Sequence, residues 1–491
     1  MAYPYSIWPL VAILVSLLAT LPIMAFNGRS PNLREGSTLM AAVAKFLIVA
    51  SMIPTVMQGG GFELTLAEVL PGVPIQLRVD AMGLFFALVA SFLWICTSVY
   101  SIGYMRALEE HSQTRYFAAF AVAISATIGV AFSANLFTLY LFYEILSLST
   151  YPLVTHEQNA EARASGRKYL TYILGTSIGL ALPAMLVTYQ LAGTLDFRHG
   201  GILAESGASP QLLGLILVLF LFGFAKAGLM PFHGWLPAAM VAPTPVSSFL
   251  HGVAVVKVGV FSILRVIFHI FGPNFLAEIN LGAIITSIAA VTILVASLVA
   301  LTQDNLKRRL AYSTVGQLSY MVLGAGMLTA AGMTGGILHI AMHAFGKITL
   351  FFCAGAIYVA HHKKYISQMD GLGRKMPITY LAFFLGSLSI IGMPPLGGFI
   401  SKWSLVIGAV EGDHLLLLLV LLLSSLLNAA YFLPIIYRGF FAKAPEGEVA
   451  TGIQEAPIFC LLPLSVTALA SLTLFFYSDI FSGLAHLALF P

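Results

Sequence analysis

Three ionisable residues recur at intervals of four in an otherwise apolar stretch, "LHIAMHAFGKITLFF" (residues 338–352). On a helix each step of four advances about 6 Å and turns about 40°, so His339, His343 and Lys347 form one slanting stripe. Imidazole titrates near neutral pH, and a lysine in a low-dielectric medium can release its proton. The stripe therefore predicts a proton relay. A metal or haem held by the two histidines is the weaker alternative, because no carboxylate or cysteine accompanies them.

The composition assigns the chain to the membrane. Hydrophobic residues make up 59% of the 491 positions, charged residues only 9%, and the mean hydropathy is +0.93. A soluble protein could not bury so much apolar surface, and the long segments are continuously apolar rather than alternating. We therefore predict an all-α integral membrane protein. Its three cysteines stand singly in apolar segments, which argues against disulfides and structural zinc.

Fourteen apolar stretches are long enough to cross about 30 Å of hydrocarbon as helices. No soluble domain separates them, and the first is interpreted as a span because it lacks the basic start and cleavage site of a signal peptide. The predicted spans are 6–26, 38–57, 81–103, 116–131, 134–154, 169–191, 211–230, 244–271, 279–302, 310–328, 334–360, 378–410, 413–437 and 456–482.

The charges in the loops predict the orientation. If the N-terminus lies outside, the inside loops hold sixteen Lys and Arg residues, including Arg29, and the outside loops hold only Arg78 and Arg198. Cytoplasmic loops of membrane proteins carry such an excess of basic residues. The prediction is a multi-pass membrane protein with both termini outside.

Few charges remain within the predicted spans. The single deep acid is Glu144, and the basic residues are Lys45, Lys226, Lys257, Arg265, Lys347 and Lys402. Each charge costs about 2.5–3.5 kcal/mol at the bilayer centre on insertion scales, so the central ones are expected to serve ion movement. Lys45 and Arg265 lie near span ends and are instead expected to extend to the membrane surface.

Two spans carry helix breakers beside these lysines. In "FGFAKAGLMPFHGWLPAAMVAPTPVSSFLHGVAVVKVGVF" (222–261), Lys226 precedes four prolines, and His251 and Lys257 follow them. In "GMPPLGGFISKW" (392–403), two prolines and a pair of glycines precede Lys402. Interrupted helices at membrane depth occur within protein or beside water-filled cavities. The pattern predicts an ion path at both breaks. His251 and Lys257, six residues apart, are expected to face different neighbours.

Glu144, in "LFYEILSLSTYPL" (141–153), needs a counter-charge. Lys226 is the expected partner, because a buried charge is stabilised by an opposite charge beside it. If a proton leaves Lys226, the carboxylate becomes a costly lone charge, so the pair would couple proton movement to a switch.

Five segments resemble, in order, the antiporter-like subunit family shared by complex I, membrane-bound hydrogenases and Mrp cation/proton antiporters. They are "YEILSLSTYPLV", "KAGLMPFHGWLPAAMVAPTPVSSFLHG", "DNLKRRLAYSTVGQLSYM", "HIAMHAFGKITLFF" and "GMPPLGGFISKW", and the resemblance extends over roughly residues 80–440. It implies fourteen helices with two five-helix repeats of inverted topology, each with a broken helix. The implied divisions are N-terminal helices (1–113), a first repeat (114–271), a second repeat (279–440) and a C-terminal helix (441–491).

The resemblance also implies roles for the ionisable residues of the first repeat. Glu144 is similar to the characteristic acid of the family's fifth helix, and Lys226 to the lysine of the seventh. His251 resembles a bridging residue of the eighth helix, where Lys257 matches a lysine common in the family.

In the second repeat, His339, His343 and Lys347 resemble the central relay of the eleventh helix, and Lys402 the exit lysine of the twelfth. A lysine rather than a glutamate at this last position argues against the M-type subunit of complex I. The sequence around it is most similar to Mrp D-type subunits and their hydrogenase-associated relatives.

We therefore expect a proton-translocating subunit of a multisubunit Mrp-type Na⁺(K⁺)/H⁺ antiporter, which acts with other membrane subunits, carries no cofactor and binds no nucleic acid. The same module in a redox-driven membrane-bound hydrogenase or complex I-like NADH dehydrogenase is the alternative. Electrons would then run in other subunits, since this chain has no GxGxxG fingerprint, iron–sulfur cysteine set or haem site. A bicarbonate or CO₂ accumulation complex, a self-contained carrier of an organic substrate and a non-transporting scaffold are further alternatives.

Overall fold

A computed structural model describes residues 3–28, 30–443 and 452–490, so Arg29 lies outside the described residues. Within these ranges ten helices are long and apolar enough to cross a membrane, and three shorter apolar helices accompany them. The predicted class, an all-α integral membrane protein, is confirmed. The number fourteen, the orientation of the termini and the repeat boundaries stay predictions.

The helices follow the predicted spans closely. In the N-terminal part they are α1 (Trp8–Ala25), α2 (Pro31–Ala50), α3 (Ile53–Met57), α4 (Ala81–Ala107), α5 (Gln113–Ala131), α6 (Leu136–Val154), α7 (Ala160–Thr176), α8 (Leu182–Ala192), α9 (Pro210–Gly223), α10 (Trp235–Ala238), α11 (Thr244–Gly252) and α12 (Val255–Arg265). In the C-terminal part they are α13 (Pro273–Glu278), α14 (Gly282–Thr302), α15 (Leu306–Gly326), α16 (Ala330–His361), α17 (Leu372–Lys375), α18 (Pro377–Ile391), α19 (Gly397–Glu411), α20 (Leu415–Phe441), α21 (Ile458–Phe476) and α22 (Asp479–Leu489).

Both segments rich in proline and glycine are interrupted. The predicted span 211–230 ends in a 3₁₀ turn (Ala225–Ala227), and the span 244–271 is divided into α11, α12 and a π-helical end (Val266–Phe271). The span 378–410 is divided into α18 and α19. The predicted single span 456–482 is wrong in detail, because the chain breaks between α21 and α22.

A β-hairpin precedes α4, in residues 58–80, to which the sequence analysis assigned no element. Strands β1 (Phe62–Leu70) and β2 (Val73–Val79) pair antiparallel, with Phe62 opposite Val79. The hairpin is joined to the helices, since the Gln76 backbone N–H donates to Thr138 Oγ1 of α6 at 3.0 Å. The strands alternate only briefly and stand half-exposed, which made them a weak signal beside the long apolar spans.

The buried centre of the bundle contains α16, which packs against α11, α15, α18, α19 and α21. The apolar stretches of α16 and of Thr244–Phe271 are wholly buried, whereas α20 leaves leucines such as Leu416 79% exposed. The ionisable stripe of the sequence therefore lies on an inner helix, and apolar side chains cover the periphery. Side-chain caps fix where key helices begin: Asn135 Oδ1 accepts from the Thr138 N–H at α6, and Thr329 Oγ1 accepts from the Gly332 N–H at α16.

Candidate functional site

Lys226 lies on the 3₁₀ turn (Ala225–Ala227) that follows the end of α9, and its side chain is fully buried. Its Nζ donates to the Tyr143 carbonyl oxygen and to Ser147 Oγ, the latter at 2.8 Å. The same Nζ lies 3.3 Å from the centroid of the Tyr143 ring. Together with Glu144, these residues form what we call the Lys226 cluster.

Glu144 lies near Lys226, the expected partner, but forms no direct salt bridge with it. Both carboxylate oxygens are buried, the Tyr140 hydroxyl of the same helix interacts with the carboxylate, and Glu144 acts electrostatically on Lys226. Helix geometry explains the difference: Tyr143 and Ser147 are four residues apart and share a face of α6, while Glu144 is rotated about 100° from Tyr143. The carboxylate is near the ammonium group without being fixed to it.

Gly259 of α12 allows the turn that carries Lys226 to approach closely. A Cβ atom at this position would lie 2.1 Å from the Ala227 backbone nitrogen and 2.8 Å from Lys226 Cβ. Backbone cannot yield to such a contact as a flexible side chain can. The position of Lys226 therefore depends on a glycine in α12, the helix that also carries Lys257.

His251 and Lys257 lie on either side of the interruption between α11 and α12 and face different neighbours, as expected. The His251 ring lies 5.1 Å from the Phe351 ring, and neither of its nitrogens has a hydrogen-bond partner within the described part of the chain. Lys257 Nζ is hydrogen-bonded to His343 Nδ1 on α16. One proton lies between these two nitrogens, and the pair can exchange that proton. The contact therefore joins the interrupted segment 244–271 to α16.

The predicted stripe on α16 is present but divides into branches. The rings of His339 and His343 lie 5.9 Å apart, and both side chains are almost fully buried. Lys347 turns aside and donates to Ser313 Oγ of α15 at 2.7 Å. The stripe therefore continues through groups on neighbouring helices rather than along α16 alone.

His339 is connected to Lys402 through two side-chain amides. His339 Nε2 is 3.0 Å from Gln317 Oε1, and its Nδ1 is 2.8 Å from Ser401 Oγ. Only one orientation of the Asn428 amide matches donors with acceptors, and in it Asn428 Oδ1 accepts from Gln317 Nε2 at 3.0 Å and from Lys402 Nζ at 3.1 Å. Two side-chain amides, Gln317 and Asn428, thus connect His339 of the stripe to Lys402.

The branch through Lys347 reaches the same asparagine. The Tyr431 hydroxyl donates to Ser313 Oγ at 2.9 Å and accepts from the Asn428 amide nitrogen. We call the connected set the Lys402 network; its members are Lys402, Asn428, Gln317, His339, Tyr431, Ser313 and Lys347.

The break between α18 and α19 accommodates Lys402. Its Nζ donates to the Ile391 carbonyl oxygen at 3.1 Å and to Ser425 Oγ at 3.2 Å. Gly392, at φ +91°, ends α18, and a Cβ there would lie 2.6 Å from Lys402 Cδ. The break therefore leaves the Ile391 carbonyl oxygen free to accept from a buried lysine.

The neutral members of the network were not predicted from the sequence. Ser313 and Gln317 of the network recur with Tyr320 at intervals of four and three in α15, and Asn428 and Tyr431 of the network recur in the same way after Ser424 in α20. Each triplet lies on one face of its helix. Two matched polar faces on otherwise apolar helices were the available signal.

Lys45 and Arg265 do not reach the membrane surface, contrary to expectation. Lys45 is fully buried and has no hydrogen-bond partner within the described ranges; the Trp94 ring lies 5.8 Å from its Nζ. Arg265 forms a bidentate pair with Asp80, the N-cap of α4, at 2.6 and 2.7 Å. Burial disfavours the Asp80 charge, but the Arg265 charge and hydrogen bonds outweigh it and hold the Asp80 pKa well below its usual range. Both cations are enclosed by neighbouring helices, so their side chains do not extend to the membrane surface.

The two lysine-containing regions are separate. Among the residues that the structure describes, no hydrogen bond links Lys226 to Lys257 or to the Lys402 network. Of the eight predicted residues, Lys257, His343, His339, Lys347 and Lys402 are brought into contact directly or through neutral partners. Glu144 and Lys226 form their own cluster, and His251 stands apart.

A polar cavity of about 580 Å³ lies at the predicted cytoplasmic end. Glu110, Lys307 and Thr244 are among its lining residues, and Lys307 Nζ donates to the Ala242 carbonyl oxygen at 2.6 Å. α11 begins at Thr244, and His251 lies seven residues further along, about 10 Å deeper. The cavity therefore leads toward the interrupted helix that carries His251.

Relatives of known sequence group this chain with components of membrane complexes. It is 30% identical to NADH-quinone oxidoreductase subunit N of Desulforudis audaxviator (strain MP104C), over 98% of both chains. It is 34% identical to Hydrogenase-4 component B of Escherichia coli (strain K12), over 67% of this chain and 50% of that protein. It is 31% identical to a probable K⁺/H⁺ antiporter component of Rhizobium meliloti (strain 1021), over 88% of this chain and 43% of that protein.

Solved structures share the fold. A chain of the membrane-bound sulfane sulfur reductase, an archaeal respiratory membrane complex, superposes with a TM-score of 0.84 at 24% identity. A chain of the Mrp complex from Dietzia sp. DQ12-45-1b superposes with a TM-score of 0.82 at 21% identity. Each match covers 98% of this chain and 97% of the other. Residues 133–428 match the family described as "NADH:quinone oxidoreductase/Mrp antiporter, TM", and the chain belongs to this family of antiporter-like membrane subunits.

Proposed function

We propose that this chain is the proton-translocating subunit of a multisubunit Mrp-type Na⁺(K⁺)/H⁺ antiporter in a bacterial or archaeal cytoplasmic membrane, with both termini outside. The observation that carries the proposal is the buried run of contacts from Lys257 through His343 and His339 to Lys402. A bundle that required only stability would not bury so many basic groups among apolar helices, because each costs free energy in lipid.

Proton movement along α16 begins at the Lys257–His343 contact. His343 takes the shared proton on Nδ1, and its Nε2, which has no hydrogen-bond partner in the described structure, is free to release a proton toward His339. His339 Nε2 points at Gln317, so a proton that reaches this imidazole shifts the amide dipoles of Gln317 and Asn428 that hold Lys402. Gln317 and Asn428 act as positioning residues, and the lysines and histidines hold the proton.

The Lys226 cluster supplies the coupling. A charged Lys226 is stabilised by the nearby Glu144 carboxylate, by the Tyr143 carbonyl and by the Tyr143 ring. When the proton leaves, Glu144 remains as an unpaired anion and attracts the next cation. Transfer across the interval between Lys226 and Lys257 would use water admitted at the interrupted helices.

A redox-driven complex is the second candidate host. The match to an NADH-quinone oxidoreductase subunit N over 98% of both chains favours it, because similarity extends over the whole length. The proton path proposed for this chain would be the same, and the energy source would lie in partner subunits.

The experiment that tests the proposal is purification of the native complex followed by reconstitution into vesicles. Mrp-type membrane subunits among the co-purifying proteins, and an internal pH change on addition of Na⁺ or K⁺, are the expected results. Iron–sulfur or hydrogenase-like partners and proton movement driven only by an electron donor would establish the second host instead. A complex that moves no protons under either condition, or one in which the chain alone carries an organic solute, would refute proton translocation as its function.

A further inference from the structure

Three ligand-type side chains meet at the predicted cytoplasmic end, outside the proposed proton path. Glu110 and His111 lie in the loop between α4 and α5, and His156 follows α6. One ligand atom from each residue lies within 4.8 Å of the others. Glu110 Oε2 is 3.7 Å from His156 Nε2 and 3.9 Å from His111 Nδ1.

The imidazole of His156 packs edge-on against the Tyr116 ring and lacks hydrogen bonds of its own in the described part of the chain. The side chain is fully buried, and neither ring nitrogen has a hydrogen-bond partner within the described residues. Burying an imidazole without partners is unfavourable, because its lost hydration is not replaced. A polar side chain directed in this way at a carboxylate and a second imidazole indicates a ligand between them.

His111 is already oriented as a metal ligand would be. Its Nε2–H donates to the His156 carbonyl oxygen at 3.0 Å, and its Nδ1 lies on the side of Glu110. Metal-binding histidines usually donate their second N–H to a carbonyl or carboxylate, and this contact fixes the tautomer. The His111 and His156 rings lie 4.7 Å apart.

We infer that Glu110, His111 and His156 form a binding site for Zn²⁺, with water as the fourth ligand. One point can lie within about 2.8 Å of all three ligand atoms, and side-chain shifts of less than about 1 Å would bring them to Zn–ligand distances of about 2.0–2.2 Å. Two imidazoles and one carboxylate are a donor set that zinc accepts and that leaves a coordination position open.

The surroundings supply both a route and an opposing charge. Glu110 also lines the polar cavity of about 580 Å³, so an ion can reach the site from that side. Arg115 Nη2 donates to the same His156 carbonyl oxygen at 3.0 Å, and its positive charge lowers the affinity for a cation. The Glu110 carboxylate offsets this charge. Occupancy would tie the α4–α5 loop to the end of α6 at the edge of the cavity.

The test uses the full-length chain, purified without a polyhistidine tag and stripped with a chelator. Equilibrium dialysis against Zn²⁺ is expected to give one bound ion per chain. With Co²⁺ in its place, the intense visible absorption of a four-coordinate ion is expected. Glu110→Gln and His111→Gln should each weaken binding at least tenfold, and His156→Gln should abolish it. His362→Gln, at an exposed histidine outside the cluster, is the matched control and should bind normally.

Glu110→Gln and His111→Gln keep the test decisive even if the buried His156 variant fails to fold, because their side chains are partly exposed. Absence of binding by the wild-type chain would overturn the inference. Unchanged affinity in both of these variants, or a Co²⁺ spectrum of six-coordinate type that no variant alters, would overturn it as well.

Discussion

The Lys226 cluster and the Lys402 network surround their buried lysines with similar groups and differ in one of them, a carboxylate. Lys226 has a backbone carbonyl, a hydroxyl and an aromatic face, with the Glu144 carboxylate nearby. Lys402 has a backbone carbonyl, a hydroxyl, an amide oxygen and the face of the Tyr320 ring, all of them uncharged. An anion favours the charged lysine strongly, whereas neutral dipoles only orient it. We therefore expect the Glu144 carboxylate to favour the charged form of Lys226 more than any neutral neighbour favours the charged form of Lys402.

The Arg265–Asp80 pair is a third place where a carboxylate lies beside a buried cation. Its carboxylate meets the guanidinium through two hydrogen bonds, whereas the Glu144 carboxylate forms none with Lys226, whose Nζ donates to the Tyr143 carbonyl oxygen and Ser147 Oγ. A carboxylate fixed to its cation serves stability. A carboxylate that is near its cation but not bonded to it can respond when the proton leaves.

The largest effect is expected from removing either charge of the Lys226 cluster. Glu144→Gln and Lys226→Ala should each reduce ion-driven proton transport in vesicles to near background, because coupling requires both charges. Lys347→Ala should also cause severe loss, through the broken contact with Ser313. The amount of assembled complex, measured by co-purification, should stay unchanged. Transport retained by both Glu144→Gln and Lys226→Ala would contradict the proposed path.

A smaller but still large effect is expected from displacing Lys226 without changing its charge. Gly259→Ala places a Cβ 2.1 Å from the Ala227 nitrogen and should shift the 3₁₀ turn, lowering transport by about tenfold or more, equivalent to roughly 1.4 kcal/mol on the barrier. Gly316→Ala is the matched control, because its nearest contact would be an ordinary 3.7 Å. Equal rates in the two variants would show that the position of Lys226 is not critical.

Placing a carboxylate beside Lys402, as Glu144 lies near Lys226, should slow proton transfer rather than abolish it. Asn428→Asp gives Lys402 a carboxylate in place of an amide, so the ammonium should be held charged and release its proton more slowly. Asn428→Ser, which keeps a neutral polar group, should retain more activity. Transport rates in vesicles across a range of pH would separate the variants. A higher transport rate for Asn428→Asp than for Asn428→Ser would contradict the proposed difference between the surroundings of Lys226 and Lys402.

The smallest effect on transport is expected at Asp80. Asp80→Asn breaks a buried pair and should cost about 3–5 kcal/mol of stability, with a normal rate per assembled complex. Because the pair lowers the folded-state pKa of Asp80, its contribution is present above the unfolded value of about 3.9 and is lost as the pH falls below it. Thermal unfolding in detergent should therefore show a similarly large difference between wild type and variant at pH 7 and at about pH 5, and a progressively smaller one as the pH is lowered from about 4 to about 2. An unchanged difference would contradict this account.

Much of the fold was predictable because it depends on local composition. Continuous apolar runs identified the helices, and the proline and glycine clusters located the interruptions beside Lys226 and Lys402. The β-hairpin was missed because two short half-exposed strands are weak signals. Lys226 could be predicted as the charged neighbour of Glu144, but the absence of a direct bridge could not, because membership of neighbouring helices does not fix which face of each helix meets the other.

The candidate site was predictable only in its charged members. Lysines and histidines in an apolar segment are conspicuous, whereas Gln317 and Asn428 gain their meaning from meeting each other across two helices. The same holds for Glu110, His111 and His156, since the two histidines are 45 residues apart along the chain. No spacing rule predicts such a meeting.

The sequence by itself determined that this is a helical membrane protein, where its helices break, and which few ionisable groups it buries, because each follows from residue type and short-range periodicity. Tertiary structure alone decided that Lys257 meets His343, that neutral amides lead to Lys402, and that Arg265 is held by Asp80. The physical reason is that hydrogen bonds between helices depend on the rotation and depth at which the helices pack, and those are set by the whole bundle rather than by any one segment.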